Sequence, residues 1–333
     1  MRSYVISSRM IVPFLLSLLV LLSACGQSAN TTTNSSAPTA TPTAALDAYG
    51  TPITYPTTAP QRIVSLTPNV SEMLGALNLD SKVVGVDYYT NYPADLASLP
   101  KVSDANGYTY NVEQIVALKP DLVLSYGQDT KQYDAQLQTL GLHVVDLPST
   151  DLTGILQEML VIGRLTFTQS TATGVVKQLQ QQINAIKAKV VGTTQPKVMI
   201  ELDDSTPGKP YVAGGGSFDD ELLQDANTEN IFHSDTANSG FPQVTDEAVI
   251  SANPQFIILT EDPQYGGNVA SVYKRPNWSG IAALQNHQVF RVNANLVGRP
   301  GPRLVEGLQC LAQMTHPSSF NNAPLPSYCT GTA

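Results

Sequence analysis

Short apolar blocks rich in β-branched residues alternate with helix-period stretches over most of the chain. RIVSL (62–66), KVVGVD (82–87), DLVLSY (121–126) and LHVVDL (142–147) read as strands buried on both faces. Helical stretches lie between them: TPNVSEMLGALNL (67–79), with Thr67 placed as a cap and Pro68 early in the first turn, NVEQIVALK (111–119), and KQYDAQLQTLG (131–141), ended by Gly141. A small hairpin is expected ahead of them at DAYGTPITY (47–55). Alternation of this kind predicts a parallel sheet covered by helices.

The second half of the chain repeats the outline. KVMIEL (197–202), FIILT (256–260) and QVFRVN (288–293) read as strands. GGGSFDDELLQDA (214–226), TDEAVISAN (245–253) and WSGIAALQN (278–286) read as helices, and RPGPRLVEGLQCLAQMTH (299–316) as a closing helix. One stretch is nearly duplicated. EQIVALKPDLVLS (113–125) and EAVISANPQFIILT (247–260) each open on a glutamate, run apolar, pass through Pro120 or Pro254, and end in a β-rich block. The two copies lie too far apart for a solenoid repeat and fit two similar domains. Between the halves, 151–191 is helical in pattern with one short break, and its second part is long, amphipathic and almost free of Gly and Pro. The expected class is α/β: two Rossmann-like lobes with central parallel sheets, 47–165 and 193–317, joined by one long α-helix, 166–192, with a ligand cleft between the lobes and a tail at 318–333.

The first residues do not read as part of that fold. Arg2 and Arg9 precede the apolar run IVPFLLSLLVLL (11–22), and LSAC (22–25) follows. These are the parts of a secretory signal peptide, expected over 1–24. LSAC resembles the bacterial lipobox, which makes Cys25 the expected lipidated residue. From 25 to 46 the chain is mostly Thr, Ser, Ala and Pro, a composition that suits a tether to the outer face of a membrane. The net charge of −9 disfavours a nucleic-acid partner. In an exported chain the remaining pair, Cys310 and Cys329, suits a disulfide pinning the tail to the last helix, with two free thiols as the alternative.

The order and spacing of PQRIVSLTPNVSEML, KVVGVDYYTNYP, NVEQIVALKPDLVL, TENIF, FPQVTDEAVISANPQFII and RPGPRLVEGL resemble the substrate-binding proteins of ABC importers. The resemblance is to the group with two α/β lobes and one linking helix, which binds cobalamin, ferric siderophores or haem, and is nearest to its cobalamin-binding members. It implies a monomeric, non-catalytic receptor that hands a small ligand to a permease dimer with its ATPase subunits. It also implies that Glu113 and Glu247 dock on arginines of the two permease subunits, although each glutamate equally suits a helix start after Asn111 or Thr245. Tyr88 and Phe241 match ligand-loop positions of the group. The group's cysteine before ENIF is Ala226 here, which leaves Cys329 as the partner for Cys310.

A cleft at the C-terminal ends of the strands would gather Tyr88, Tyr89, Tyr108 and Tyr110 from one lobe and Phe241, Asn295 and Arg299 from the other. Aromatic faces with amide and guanidinium donors suit a broad, flat, partly polar ligand. Cobalamin is the expected one, with a ferric siderophore or haem as the alternative. No protein-held cofactor or metal is expected, because the four histidines, His143, His233, His287 and His316, are scattered. His233 is the one expected nearest the cleft. AGGGSF could cradle a phosphate but lacks the lysine and threonine of a P-loop. The absence of a nucleophile motif speaks against an enzyme, and a matched cleft speaks against a purely adhesive surface lipoprotein.

Overall fold

The computed structural model describes residues 45–107, 109–127, 130–147, 151–260 and 268–330. The expected signal peptide, Cys25, most of the tether and Tyr108 lie outside the described residues. In chain order the first lobe contains β1 (Ile63–Ser65), α1 (Pro68–Ala76), β2 (Val83–Val86), α2 (Ala94–Ala97), α3 (Val112–Ala117), β3 (Leu122–Tyr126), α4 (Lys131–Thr139) and β4 (Val144–Leu147). Two packed helices follow, α5 (Leu152–Leu165) and α6 (Gln169–Val190). The second lobe contains β5 (Lys197–Asp203), β6 (Tyr211–Val212), α7 (Phe218–Asp225), β7 (Glu229–Asn230), the turn-like α8 (Ala237–Gly240), α9 (Asp246–Ala252), β8 (Phe256–Leu259), α10 (Val269–Val272), α11 (Ala282–Gln285), β9 (Val289–Arg291), α12 (Ala294–Val297) and α13 (Leu304–Thr315), with α14 (Ser327–Thr330) in the tail.

Among the described residues the first sheet is parallel throughout, in the order β2-β1-β3-β4. The second has the order β6-β5-β8-β9, with β7 also on β5. Its β6 runs antiparallel, an edge strand that the apolar pattern does not announce because it is only two residues long. The duplicated stretch occupies matching places. β3 lies between β1 and β4, and β8 lies between β5 and β9. Each copy ends its helix on a residue in the left-handed region, Lys119 (φ 49°) and Asn253 (φ 49°). The proline that follows prevents the helix from resuming.

The linking helix α6 has 22 residues, about 33 Å of rise. Its buried stripe, Ala172, Ile183, Ile186 and Val190, belongs to one apolar cluster that also holds Met73 and Leu122 of the first lobe and Val198, Leu304 and Leu308 of the second. The lobes are therefore fused by packing, not merely strung on a helix. Glu221 of α7 adds a polar tie, accepting from the Leu152 amide at the start of α5 at 2.8 Å. In the tail, Cys329 is bonded to Cys310 of α13, with their Cα atoms 5.6 Å apart.

Asp134 and Asp219 are both buried, and neither forms an ion pair among the described residues. Tyr49 of the 47–55 turn reaches Asp134 Oδ2 at 2.7 Å and Asp146 Oδ2 at 2.9 Å. One hydroxyl has a single proton to give, so the second contact needs a protonated carboxyl. Burial pushes Asp134 up to about 7, and the neighbouring Asp146 adds to the rise. Asp219 is wholly buried in α7, neither oxygen has a hydrogen-bond partner, and desolvation pushes it up to about 8. An acid whose folded value exceeds its unfolded one takes up a proton on folding, so stability falls as pH rises from the ordinary value of 3.8 towards about 8. Urea unfolding is expected to show about 4 kcal/mol more stability at about pH 6 than at about pH 8.5, the larger share from Asp219 and the rest from Asp134, and Asp219→Asn is expected to remove that larger share. A wild-type protein equally stable at both values contradicts the assignment.

Candidate functional site

Two adjoining cavities that share Tyr126 and Pro300 form a cleft between the lobes. The larger, about 540 Å³, is mainly apolar. It is lined by Tyr126 at the end of β3, by Phe218, Phe241 and Pro300, and by the backbone of Gly215 and Gly216. Phe218 and Phe241 tilt against each other at 5.8 Å. No ionised side chain is among the lining residues described. The smaller cavity, about 340 Å³, is mixed and is the more polar of the two, with Asn69, Asp87, Tyr89 and Arg299 among its lining residues.

Each side is built differently. On the first lobe the lining follows the C-terminal ends of β1, β2 and β3, where parallel strands leave a crevice. On the second lobe it is laid beside the edge strand β6, by the glycine loop 214–216 and the loop 236–241. These loops pack backbone to backbone. A Cβ on Gly214 or Gly215 would collide with the carbonyl oxygens of Asp235 and His233. The glycines thus serve close approach and a smooth cavity floor. Ser217 then caps α7, accepting from the Asp220 amide at 3.1 Å.

The expected site residues divide. Tyr89, Tyr110 and Arg299 line the polar half and Phe241 the apolar half. Tyr110 is buried, and its hydroxyl donates to the Leu66 carbonyl at 2.6 Å, so it is part of the wall's own scaffold. Tyr88 is 47% exposed and stands edge-on to Tyr89 at 5.5 Å. Tyr88 and Asn295 line neither half, and the Asn295 amide donates to Asn293 Oδ1 within its own turn. His233 also lines neither half. It is largely exposed, with Nδ1 2.9 Å from Asp220 Oδ2. Among the described residues no cluster of His, Cys, Asp or Glu could hold a metal ion.

The sequence reading passed over Tyr126, Phe218, Pro300 and Glu72. Tyr126 carried a usable signal, since it ends an apolar parallel strand where ligands gather. Glu72 of α1 is buried and binds Arg303 and Arg299 across the lobe boundary. Burial depresses Arg299 below its ordinary value and raises Asp87, the latter against the Thr90 hydroxyl, the Tyr89 amide and the charges of Lys101 and Arg299. Glu113 and Glu247 are exposed at the second residues of α3 and α9. Asn111 and Thr245 cap those helices, accepting from the Gln114 and Ala248 amides at 3.0 and 3.3 Å. The Glu247 carboxyl is held below its usual range by its own backbone N–H and the Thr245 hydroxyl.

Two α/β lobes clasping one cleft define a solute-binding protein. The chain belongs to the periplasmic binding protein family, whose model matches residues 63–296. It is 34% identical over 271 residues to the uncharacterised ABC transporter substrate-binding lipoprotein YvrC of Bacillus subtilis, covering 78% of this chain and 82% of that one. It is 27% identical over 275 residues to a cobalamin-binding protein of Halobacterium salinarum, covering 81% and 73%. The periplasmic haem-binding protein HutB of Vibrio cholerae shares the fold, with a TM-score of 0.67, 24% identity, and coverage of 77% and 99%. The chain is a substrate-binding protein of an ABC importer, and the family's members bind solutes and are not enzymes.

The glycine loop provides a test of the geometry. Gly215→Ala must push apart two backbones, and is expected to lower stability by ~1–3 kcal/mol and to weaken ligand binding. Thermal melting of the variant at the wild-type temperature contradicts this packing.

Proposed function

We propose that the cleft captures cobalamin outside the cytoplasmic membrane and delivers it to an ABC permease. The observation that carries this reading is the apolar half: about 540 Å³, aromatic walls, a glycine floor, and no charged lining residue described. Its size falls within the roughly 300–1,000 Å³ of ligand pockets. Such a cavity suits a flat macrocycle, and the polar half beside it offers amide, hydroxyl and carbonyl partners for a rim of amides. The cobalamin-binding relative supports the same choice. Arg299 is the only cation among the described residues lining either half, and internal acceptors already engage it. That disfavours ligands bearing several negative charges.

Haem or a ferric siderophore is the second reading, favoured by the exposed phenol of Tyr88, which stands edge-on to the lining residue Tyr89. Calorimetric titration with cobalamin, haemin and several iron–siderophore chelates separates the two. Cobalamin is expected to bind at micromolar concentration or below, and Phe241→Ala to weaken it by roughly 1–3 kcal/mol. Tight binding of an iron chelate with none of cobalamin removes the first reading.

In this reading Cys25 carries the lipid, the 25–46 stretch is the tether, and the protein acts as a monomer. Glu113 and Glu247 dock on basic residues of the two permease subunits. Their support is their equivalence: each is exposed at the same position of a capped helix, on topologically matching parts of the two lobes. Asn111 and Thr245 accept from the first-turn amides, and both glutamates stand exposed beside them. Replacing both glutamates by alanine is expected to abolish uptake while ligand affinity stays within about twofold of wild type. Normal uptake by the double variant at wild-type abundance removes the docking role.

A further inference from the structure

One acid sits between two bases at the boundary of the lobes. Arg303 donates to Glu72 twice, from Nε to Oε2 at 3.0 Å and from Nη2 to Oε1 at 2.6 Å. Arg299 Nη1 lies 3.5 Å from Glu72 Oε1 and donates to Asn91 Oδ1 at 2.7 Å, while its Nη2 donates to the Tyr89 carbonyl at 3.2 Å. The Glu72 side chain has no exposure, and the arginine side chains are 15% and 11% exposed. Tyr92 lies against the Arg303 guanidinium at 4.2 Å. Other charges complete the surroundings: Asp87 and Lys101 act on the Arg299 side, and Glu306 acts on Arg303.

A buried ion pair adds little net stability, because removing charges from water offsets most of their attraction. What it sets here is how strongly positive the cleft is, since two arginines share one carboxylate. Arg299 lines the polar half, and Arg303 does not. The carboxylate beside Arg299 therefore governs how much an anion gains on entering. We infer that Glu72 is the specificity-determining residue for ligand charge: as the carboxylate shared by Arg303 and Arg299 it weakens the pull of Arg299 on an anion, and so favours a ligand with a neutral, amide-bearing rim over carboxylates of the same shape. The inference rests on the corrinoid reading of the cleft. An amide and a carboxylate differ little in shape, so charge is what separates them, and the selectivity is carried by a residue outside the ligand's reach.

The test uses cyanocobalamin and its monocarboxylate, in which one peripheral amide is hydrolysed. The wild type is expected to bind the acid at least about tenfold more weakly than the amide. Glu72→Gln should close that gap. Because this variant strands two cations, Glu72→Gln with Arg303→Met is measured beside it: one acid and one base are removed together, Arg299 alone is released, and melting verifies the fold. Adding Arg299→Gln to that pair is expected to abolish the gain for the acid, an outcome that loss of structure does not imitate. A wild type that binds acid and amide equally overturns the inference. So does a folded double variant that discriminates as the wild type does, and either result leaves the corrinoid reading standing. If the wild type binds neither corrinoid, that reading falls, and haemin, with its propionates, decides the charge assignment. Tighter haemin binding by the double variant than by the wild type supports the assignment, and equal binding overturns it.

Discussion

A carboxylate with no access to water must find its counter-charge inside the protein, and Glu72 finds it on the other lobe. Its partners are 227 and 231 residues away in sequence. Removing one partner of such a pair costs about 3–5 kcal/mol, because the charge left behind cannot be hydrated. The lobes are thus held in register by a contact that tolerates little sliding. Around it the boundary is tightly built: Asn69 donates to the Pro300 carbonyl at 3.4 Å, and a Cβ on Gly301 would lie 3.3 Å from Glu72 Oε2. Pro300 stands between the two halves of the cleft and lines both. The ion cluster, the boundary and the ligand cavity are one piece of architecture.

That coupling bears on how the protein recognises a ligand. The linking helix is buried along a stripe, and its apolar cluster continues into both lobes. Closing the lobes by a large angle would shear that cluster and stretch Glu72 from its arginines. The economical mode is a cleft already shaped for its ligand, where affinity comes from complementarity and little is spent on ordering. The glycine loop serves the same end. Its close backbone contacts fix the floor, and the two phenylalanines rise from rigid positions beside it.

Much of the fold was legible because it rests on local rules. The alternation of β-branched blocks with helical stretches gave both sheets and the parallel sense of their main strands, though not the antiparallel edge strand β6. The duplicated glutamate–proline stretch marked equivalent strands in the two lobes, and even its left-handed residue recurs. What stayed illegible depends on contacts far apart in sequence. Glu72 reads as an ordinary helical glutamate within NVSEML, and only the folded chain buries it between arginines. Asn295 looked like a cleft donor on the strength of its loop, but the turn of α12 leaves it out of both cavities. Tyr110 looked like a ligand contact, and its ring does reach the wall, yet its hydroxyl is committed to Leu66. An aromatic count shows which side chains are present near a cleft and not which of them still have a free hydroxyl.

The buried acids show the same separation between sequence and consequence. DD at 219–220 reads as two charges at the start of a helix, where carboxylates are favoured. In the fold only Asp220 fits that description, since Asn230, Gln224 and His233 surround it with partners. Asp219 turns inward with Leu222 and Leu223 and stays neutral. Formal charge therefore overstates the negative field near the second lobe. The distinction matters for a cleft whose selectivity is electrostatic. An acid that is neutral when buried does not compete for Arg299, whereas Glu72 lies within reach of both Arg299 and Arg303 and does. The balance at the cleft is thus set by which acids have found a cation, not by how many acids the chain contains.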